Sequence, residues 1–457
     1  MRTGAVTDDR PMTLHATAKL PTDQGRGIAP RRTPPPPWEI VRPPHWPVIE
    51  DMHRSKQRIL FIAEAVTLAH VARLVGLARS LASDQYEICL ACDPRYNDLI
   101  GDLPFPVVPV QTIPSAQFFQ ALAHGRAIYS TGDLIGYVEE ELRLFDTFRP
   151  DVVVGDFRLS LDISAKVHGT PYVTITNAYW SPYAKLRFPV PDIPLARILG
   201  VPLAQKLFDW ARPFAFALHA LPLNRTRRKY GLASLSHDLR QVYTHADYTL
   251  YADIAEIVPT SPLPKNHRFI GPVPWSPSRP PPNWWDSLPA DRPIVYVTLG
   301  SSGPGSLLPV VLAALADLPL TVIAATAGRM EPGAVPGNAR IAEFLPGEQA
   351  AERARMVICN GGSPTSYQGL LAGKPIVGIA SNLDQYLNMS LMESAGAGML
   401  LRSGKASPAA VRQAVMAVLD NQAMAARAEN LKSVILNYRA GQALETVLHQ
   451  IMGTQRA

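Results

Sequence analysis

A run of small and hydroxylated residues in the second half of the chain could bind an anion. The apolar segment Met356 to Cys359 has the composition of a buried strand, and it leads into Asn360-Gly361-Gly362-Ser363-Pro364-Thr365-Ser366. The two glycines let backbone amides approach a ligand, and the pattern predicts that Ser363 caps a helix whose first residue is Pro364. Free N–H groups meet the positive end of the helix dipole there, which predicts a diphosphate site. On its own, the same pattern also fits a simple tight connection.

The segments around this turn alternate between strand and helix patterns. Short apolar runs rich in β-branched residues are separated by stretches with apolar residues at helical spacing. The predicted strands are Arg58 to Ala63, Tyr86 to Ala91, Asp151 to Val154, Tyr172 to Thr176, Ile294 to Leu299, Leu320 to Ala325, Arg340 to Phe344, Met356 to Cys359 and Pro375 to Gly378. This alternation predicts an α/β fold with mostly parallel sheets, in which ligands lie beyond the carboxyl ends of the strands.

The length and the distribution of proline predict two facing Rossmann-like β/α/β domains. A chain of 457 residues is too long for one ordinary core. Prolines concentrate near the start and again between residues 258 and 289, after which the pattern restarts. The predicted organisation is a disordered leader over 1–54, a first domain over 55–270, a linker over 271–290, a second domain over 291–430 and a C-terminal helix over 431–457 that crosses back to the first domain.

The composition excludes several classes of protein. The net charge of +6 is spread over the whole length, which argues against nucleic-acid binding. Three cysteines cannot build a disulfide framework and no secretion leader is recognisable, so a cytoplasmic location is expected. The apolar stretch Leu207 to Leu223 contains charged residues, so it predicts a pocket-lining or interfacial helix rather than a membrane span. The basic run Arg225 to Lys229 fits either a solvated helix face or peripheral contact with a membrane or an acceptor.

Residues 360–398 resemble the C-terminal signature of the nucleotide-sugar-dependent glycosyltransferases of the plant and macrolide type, which have the GT-B fold. The matching positions are Asn360-Gly361-Gly362, Thr365, Leu370, Gly373-Lys374-Pro375, Asp384-Gln385, Asn388 and Gly396-Ala397-Gly398. The segments Val295 to Ser301 and Glu343 to Gly347 fit the same family. Together they extend the resemblance over most of residues 55–455.

The resemblance implies that the second domain binds a UDP- or dTDP-sugar as the donor. Phe344 would stack on uracil or thymine, and Asp384 with Gln385 would bind sugar hydroxyls. The residues implied for the donor are Gly300, Ser301, Phe344, Pro346, Asn360, Gly361, Gly362, Ser363, Thr365, Gln368, Asp384 and Gln385. The sequence has no Asp-x-Asp motif, so neither a metal nor another cofactor is implied.

The resemblance also implies a catalytic pair in the first domain. His70 follows the first predicted strand, where the family places its general base, and Asp156 follows the third, where it places a carboxylate partner. An acceptor hydroxyl would attack the anomeric carbon in line as the nucleoside diphosphate leaves, so a neutral imidazole must take the proton and the carboxylate must orient it. One such displacement inverts the anomeric centre. Each residue alone could instead cap or pack at a helix start.

Aromatic residues crowd the segment after the fourth predicted strand. Tyr179, Trp180 and Tyr183 lie where the family binds its acceptor. Three more aromatic residues follow, Phe188, Phe214 and Phe216. They predict an apolar pocket for a small-molecule or lipid-like acceptor, and an ordinary core is the alternative.

The chain departs from the family pattern at four positions. Asn360 replaces a histidine that contacts phosphate, and Gln368 replaces a glutamate that accepts from ribose. Pro364 takes the place of a small residue or asparagine, and Arg73 takes that of a common proline. These departures motivate a second hypothesis, a non-catalytic helper protein of glycosyltransferase descent. A sugar-nucleotide epimerase on the same fold is a third.

Overall fold

Two sheets and the helices around them make up the part of the chain that is described. The structure is a computed structural model that describes residues 56–82, 84–277, 279–300, 303–328 and 331–455. The leader predicted over 1–54 lies outside the described residues. So does Ser301, one of the residues implied for the donor.

The first sheet contains seven parallel strands. They are β1 (Gln57–Ala63), β2 (Tyr86–Ala91), β3 (Val107–Val108), β4 (Val152–Asp156), β5 (Tyr172–Thr176), β6 (Tyr248–Tyr251) and β7 (His267–Phe269). Their order across the sheet is β3-β2-β1-β4-β5-β6-β7. The central strands β1 and β4 are apolar almost throughout, because helices cover both faces of a parallel sheet.

Helices connect the strands of this sheet. They are α1 (Leu68–Ser80), α2 (Asn97–Ile100), α3 (Ser115–His124), α4 (Thr131–Phe148), α5 (Leu161–His168), α6 (Pro194–Lys229) and α7 (Leu239–Thr244). The long helix α6 is kinked at Gly200, where the backbone leaves the helical conformation. Within the described ranges, no helix combines the length and the apolar content that crossing a membrane requires.

The second sheet contains six parallel strands. They are β8 (Ile294–Thr298), β9 (Thr321–Ala325), β10 (Ala339–Ala342), β11 (Met356–Cys359), β12 (Ile376–Ala380) and β13 (Gly398–Arg402). Their order is β10-β9-β8-β11-β12-β13, which repeats the order of the first sheet from β3 to β6. The expected fold of two parallel α/β domains is therefore confirmed, whereas the exact domain boundaries stay predictions.

The helices of the second half include two that replace the single terminal helix of the prediction. The helices are α8 (Leu307–Leu315), α9 (Gly347–Arg353), α10 (Ser363–Leu371), α11 (Leu383–Ser394), α12 (Pro408–Leu419), α13 (Gln422–Ile435) and α14 (Ala440–Gln455). The chain leaves the helical conformation between α13 and α14, so that α13 packs on α10 while α14 packs on α1 of the first domain. The prediction of one uninterrupted helix was wrong, because two different packing partners require a change of direction.

Each sheet reverses its strand order at one point. In the first sheet this switch point lies between β1 and β4, and in the second between β8 and β11. The loops that follow the two strands at a switch point run in opposite directions and open a crevice where ligands bind in such folds. The residues that follow these four strands are the ones that the sequence patterns single out.

The chain crosses between the domains twice, and the two crossings touch. Gly271, at the start of the predicted linker, has a φ of 81°, and a Cβ atom there would lie 2.3 Å from the Cβ of Tyr438. Tyr438 lies between α13 and α14 and donates its hydroxyl hydrogen bond to Glu256, over 2.9 Å. The glycine is therefore required both for its left-handed backbone and for the close approach of the second crossing.

A buried ion cluster lies beside the switch point of the first sheet. Arg158, two residues after β4, donates to Glu141 over 2.6 Å and to Glu64 over 3.1 Å, and all three side chains are fully buried. Glu140 is a third carboxylate near the same guanidinium, at 3.4 Å. Burial raises the pKa of Glu64 to about 7, although the charge of Arg158 opposes this shift. The cluster ties the chain after β1, where Glu64 lies, to the chain after β4.

We expect Glu64 to make stability fall with rising pH. In the unfolded chain Glu64 loses its proton near its ordinary pKa of 4.5, but in the fold it does so near 7. Its contribution is therefore complete below pH 4.5 and is lost as pH rises through 7, with a slope of at most about 1.4 kcal/mol per pH unit. Urea unfolding between pH 5 and 8 should show this slope in the parent protein relative to Glu64→Gln. Parallel curves for the two proteins would contradict the assignment.

Candidate active site

His70 and Asp156 lie in contact at the switch point of the first sheet. His70 is in the first turn of α1, and Asp156 is the last residue of β4. The His70 Nδ1 atom is 2.7 Å from the Asp156 Oδ1 atom. Because an ionised carboxylate only accepts, Nδ1 donates and Nε2 keeps a lone pair for another proton. The side chain of Asp156 is 1% exposed and that of His70 is 17% exposed, so the imidazole is the accessible member of the pair.

Phe157 fixes the plane of the His70 ring. The two rings are stacked, with centroids 4.9 Å apart and planes inclined by 10°. Phe157 has a φ of 56°, a left-handed conformation that costs a residue with a Cβ atom about 1–2 kcal/mol. The next residue, Arg158, is held in the buried ion cluster, which stabilises this turn. The cluster thus places an aromatic ring against the imidazole.

Arg73 shares the carboxylate of Asp156 with His70. Its Nε atom donates to Oδ2 over 2.7 Å and an Nη atom donates to Oδ1 over 2.9 Å, a bidentate pair between buried groups. Burial opposes the charge of Arg73, but Asp156 outweighs it and raises the pKa of the guanidinium above its usual value. The family's proline could make none of these contacts. Arg73 therefore neutralises Asp156 and holds its orientation toward His70.

Asn177 continues this hydrogen-bonded chain into the second domain. It accepts from Arg73 over 2.8 Å and donates to Ser363, the first residue of α10, over 3.0 Å. Its amide also lies 3.2 Å from both carboxylate oxygens of Asp253, whose pKa burial raises to about 6. Since the Ser363 hydroxyl accepts from Asn177, its own proton can be donated elsewhere. One chain of bonds therefore joins the histidine to the predicted diphosphate site.

The turn predicted to bind the diphosphate has the expected form, with one correction. α10 begins at Ser363, and its N-cap is Gly362, whereas the sequence predicted Ser363 as the cap. Asn360 accepts from the Gly362 amide over 3.1 Å, and Asn388 donates to the Gly361 carbonyl over 2.8 Å. Asn360 therefore organises the turn through its carbonyl oxygen. Thr365 lies partly exposed in the first turn of the helix.

Other residues implied for the donor surround this turn. Gly300 follows β8, and the position of a Cβ on it is 3.5 Å from the Asn360 Nδ2 atom. Phe344 is partly exposed in the loop after β10, and Pro346 is buried directly before α9. Gln368 donates to the Ser276 hydroxyl over 3.0 Å and lies against the backbone of Gly347. The switch point of the second sheet thus brings these positions to one end of the domain.

Asp384 and Gln385 differ in their surroundings. Asp384 accepts from the indole nitrogen of Trp180 over 2.8 Å, which is another of the bonds between the domains. The Gln385 side-chain oxygen accepts from the amide and the hydroxyl of Ser381, over 2.9 and 3.0 Å. Because that oxygen is used within the second domain, only the amide nitrogen of Gln385 is left to meet a sugar hydroxyl.

An aromatic surface extends from His70 toward α6. The Phe157 ring is 5.3 Å from that of Tyr243, which is 5.2 Å from that of Trp180. Phe188 and Phe216 lie 6.1 and 6.4 Å from Trp180. Trp180 and Tyr243 are partly exposed, whereas Phe188 and Phe216 are buried. Tyr179 is also buried, beside Trp180, with ring centroids 6.5 Å apart.

Two of the aromatic residues singled out in the sequence lie elsewhere. Tyr183 contacts His267 of β7, at a ring distance of 5.4 Å, and so packs at the edge of the sheet. Phe214 is 63% exposed on the outer side of α6. A helical period alone cannot say which side of α6 faces the domain, so it does not distinguish the exposed Phe214 from the buried Phe216.

Sequence reasoning missed four members of this site. One is Phe157, which follows β4 directly. Asn177 follows β5 directly, Asp253 lies two residues after β6, and Tyr243 is in α7. Asn177 and Asp253 carried a usable signal, because polar residues after the strands of a parallel sheet gather at one edge. β6 was not recognised, so Asp253 was not placed on that edge. Within the described ranges, no group of three or more His, Cys, Asp or Glu side chains could hold a metal ion.

A small cavity lies between the two halves of the site. A cavity of about 10 Å³ lies between Arg73, Ser363 and Gln368. Ligand pockets usually measure roughly 300–1,000 Å³, so a nucleotide sugar needs a wider cleft here. A cavity of about 690 Å³ lies elsewhere, between the segment from Lys185 to Pro189 and α11, without contact to His70.

Comparison with known proteins shows what the chain is similar to. A family model described as erythromycin biosynthesis protein CIII-like, C-terminal domain, matches residues 309–441. A PGL/p-HBAD biosynthesis glycosyltransferase of Mycobacterium tuberculosis is 56% identical over 364 residues, 80% of this chain and 85% of that protein. A PGL/p-HBAD biosynthesis rhamnosyltransferase of Mycobacterium bovis is 53% identical over 386 residues, 84% of this chain and 86% of that protein.

Two further matches bear on the fold and on the alternatives. A solved structure of the spinosyn rhamnosyltransferase SpnG complexed with thymidine diphosphate aligns with a TM-score of 0.63 and 20% identity, over 86% of this chain and all of that one. An inactive PGL/p-HBAD biosynthesis glycosyltransferase of Mycobacterium bovis is 55% identical over 260 residues, 57% of this chain and 71% of that protein.

The fold and the similar proteins together identify the class and the family of this chain. The fold and the relatives define a GT-B glycosyltransferase of the macrolide type. The chain belongs to the family of glycosyltransferases that includes the mycobacterial PGL/p-HBAD biosynthesis glycosyltransferases. The epimerase and helper hypotheses are not favoured, because the relatives matched over most of this chain are named glycosyltransferases.

Gly362→Val should weaken donor binding while the fold survives. Gly362 has an extended backbone that valine can adopt, and the added Cβ would lie 3.3 Å from the Asn360 side chain. The branched side chain would stand where backbone amides must approach the phosphates, so we expect the dissociation constant for the nucleotide to rise roughly tenfold or more. Calorimetry measures this. Gly337→Val, in an open loop of the same domain, is the control, and equal affinities for both variants would move the site away from this turn.

Arg73→Met should reduce the free energy of unfolding by roughly 3–5 kcal/mol. It leaves the buried Asp156 without its bidentate partner, which is the costly way to break a buried ion pair. Asp156→Asn should cost a similar amount, because it leaves Arg73 unpaired. The double variant should lose clearly less than the sum. Urea unfolding measures all three, with Arg79→Met on the exposed side of α1 as the control, and additive losses would show that the two groups do not act as a pair.

Proposed function

We propose that this glycosyltransferase moves a hexose or deoxyhexose, with inversion, from a UDP- or dTDP-sugar to a hydroxyl of a small apolar acceptor. The observation that carries this proposal is the His70–Asp156 contact of 2.7 Å at the switch point of the first sheet. The imidazole lies beside an aromatic surface, and a chain of hydrogen bonds links it to the start of α10. This arrangement supports proton removal from an acceptor near a diphosphate.

In the proposed reaction His70 is the general base. The acceptor oxygen forms a bond to the anomeric carbon while the bond from that carbon to the diphosphate oxygen breaks, and its electron pair leaves with the nucleoside diphosphate. The acceptor proton moves to the Nε2 atom of His70. Asp156 holds the imidazole through Nδ1 and stabilises the imidazolium that forms. Arg73 and Phe157 keep both groups in place and do not themselves exchange a proton.

The donor is proposed to rest on the second domain. The amides at the start of α10, the proton of the Ser363 hydroxyl and the helix dipole would neutralise the diphosphate, with no metal or other cofactor required. Phe344 and Pro346 would lie under the base, and Asp384 would bind the sugar after releasing Trp180. A dTDP-deoxyhexose is the first donor to test, because one relative is named a rhamnosyltransferase and a structural neighbour is complexed with thymidine diphosphate.

The acceptor is proposed to be apolar and lipid-like. The partly exposed rings of Phe157, Tyr243 and Trp180 form a hydrophobic path that begins at the imidazole, and the buried Phe188 and Phe216 support Trp180 from behind. An acceptor of this kind partitions into lipid, so the proposal includes peripheral contact with a membrane from a cytoplasmic protein. This part of the proposal does not depend on which sugar is transferred.

The function is tested with a panel of nucleotide sugars and acceptors. The protein is incubated with UDP- and dTDP-hexoses and deoxyhexoses in the presence of phenolic, polyketide and lipid acceptors, and the products are detected by mass. The expected result is a glycosylated acceptor that forms only when donor and acceptor are both present. Conversion of the donor sugar without an acceptor would instead indicate an epimerase, and nucleotide binding without any product would indicate a helper protein.

His70→Ala should lower turnover by roughly 10² to 10⁴, the usual cost of a lost proton acceptor, and leave donor affinity nearly unchanged. Asp156→Asn should cost as much or less, and the two losses should be strongly non-additive because both act on one proton transfer. Turnover and donor affinity are measured for both single variants and for the double variant.

The control is His237→Ala, which removes an exposed histidine outside the site and should keep normal turnover. Because Asp156→Asn also leaves Arg73 unpaired, all assays are run where unfolding curves show each variant to be folded. If the two losses simply multiply, the residues are not a pair. Normal turnover of His70→Ala would place the base elsewhere.

A further inference from the structure

The outer side of α6 is an exposed apolar surface. The side chains of Leu203, Leu207, Trp210, Phe214 and Leu218 recur at intervals of three and four residues, so they lie on one side of the helix. They are 40–72% exposed, with Trp210 the most exposed and Leu207 the least. These five side chains are named here the α6 apolar stripe.

The concentration of these residues distinguishes the stripe from ordinary surface. Twelve large apolar side chains are exposed among the described residues, and eight of them lie on α6. The other three on this helix are Leu195, Ile198 and Leu199, which lie before the kink at Gly200. Single exposed apolar residues need no explanation, but a continuous patch marks a surface that contacts something apolar.

A basic group continues the same side of the helix. Arg225, Arg228 and Lys229 are exposed, and Arg225 lies two helical turns after Leu218. The only acidic residue in α6 is Asp209, and its carboxylate is paired with Arg187 over 2.9 Å. Arg225, Arg228 and Lys229 are called the α6 basic end. This side of α6 therefore has an apolar part and a cationic part, and the one acidic side chain of the helix is paired. This pattern is typical of helices that lie in the plane of an anionic lipid surface.

The charge pattern argues against a second copy of the chain as the partner that covers the α6 apolar stripe. An antiparallel pair of α6 helices would set the basic end of each copy against the apolar start of the other, around Ile198. A parallel pair would set the two basic ends against each other. On a membrane, anionic lipid head groups would pair with the α6 basic end, and the acyl chains below them would bury the α6 apolar stripe.

We propose that the α6 apolar stripe and basic end dock this glycosyltransferase on an anionic membrane surface. On the opposite side of the same helix the buried Phe216 packs against the partly exposed Trp180 of the aromatic surface. A helix lying in the head-group region would thus have lipid on one side and the acceptor surface on the other. The docking itself rests on α6 alone, whereas delivery of an acceptor rests on the proposed function.

Vesicle binding tests the docking without any donor or acceptor. The full protein is floated with phosphatidylcholine vesicles and with vesicles that contain phosphatidylglycerol. We expect association at least tenfold stronger with the anionic vesicles, and weaker association as salt rises. Among the described residues, Trp210 is the one tryptophan whose side chain is exposed in this way, so its fluorescence should shift to the blue on binding. Trp210→Phe should abolish most of the shift and keep the flotation.

Matched variants distinguish vesicle binding through this surface from nonspecific adsorption of the protein. Trp210→Ser with Phe214→Ser removes the centre of the stripe, and glutamine at Arg225, Arg228 and Lys229 removes the basic end. Each should reduce vesicle association by roughly tenfold or more. The control for the serine variant replaces the exposed Val335 and Leu436 with serine. The control for the glutamine variant replaces the exposed Arg292, Arg340 and Lys405 with glutamine. The controls should bind vesicles as the parent does.

Several outcomes would overturn the proposal. One is no association with anionic vesicles at low salt, and another is an equal loss in the control variants. A third is a dimer by light scattering that Trp210→Ser dissociates while vesicle association is absent, which would assign the stripe to a second copy. Turnover on a water-soluble acceptor is measured separately. Failure of that assay with intact vesicle binding would refute the proposed function and leave the docking surface standing.

Discussion

The arrangement of side chains at the switch point of the first sheet depends on one buried carboxylate, that of Asp156. Its charge lies at the carboxyl end of a central strand, where water cannot stabilise it, so the fold must supply partners. Arg73 provides a bidentate cation and His70 a ring N–H, and both come from α1. The orientation of α1 against the sheet and the orientation of the imidazole are therefore fixed by the same contact. The strained turn at Phe157 follows from this arrangement, because the chain must turn sharply after Asp156 to bring Arg158 into its own buried cluster.

Two of the residues implied for the donor take part in contacts between the domains. Trp180 donates to Asp384 and Asn177 donates to Ser363, so two residues implied for the donor are already bonded to the first domain. A nucleotide sugar would replace these bonds with its own hydroxyls and phosphate oxygens, at little net cost in hydrogen bonding. The contact of Gly271 with Tyr438 ties both interdomain crossings together.

The departures from the family pattern have structural roles in this chain. Asn360 keeps the turn before α10 in shape through its bond to Gly362, and Gln368 bonds to Ser276 in the linker. Arg73 replaces a common proline and completes the ionic surroundings of Asp156. Because an inactive relative is as similar per residue as the others, these departures do not by themselves decide activity. The geometry of His70 and Asp156 is the more direct criterion, since it concerns the proton that the reaction must move.

The sequence by itself determined both parallel sheets, the turn before α10 and the pairing of His70 with Asp156 as a hypothesis. Buried apolar runs and glycine-rich turns are local signals, and the strand at Tyr86–Ala91, for example, has the predicted bounds. The strands β3, β6, β7 and β13 escaped prediction, and each lies at or next to the edge of its sheet, where pairing with a neighbouring strand defines it. Only the tertiary structure decided that Arg73, Asn177 and Asp253 join the histidine to α10, and that one side of α6 is left exposed. Residues far apart in sequence meet where parallel strands end, and local periodicity carries no information about such meetings.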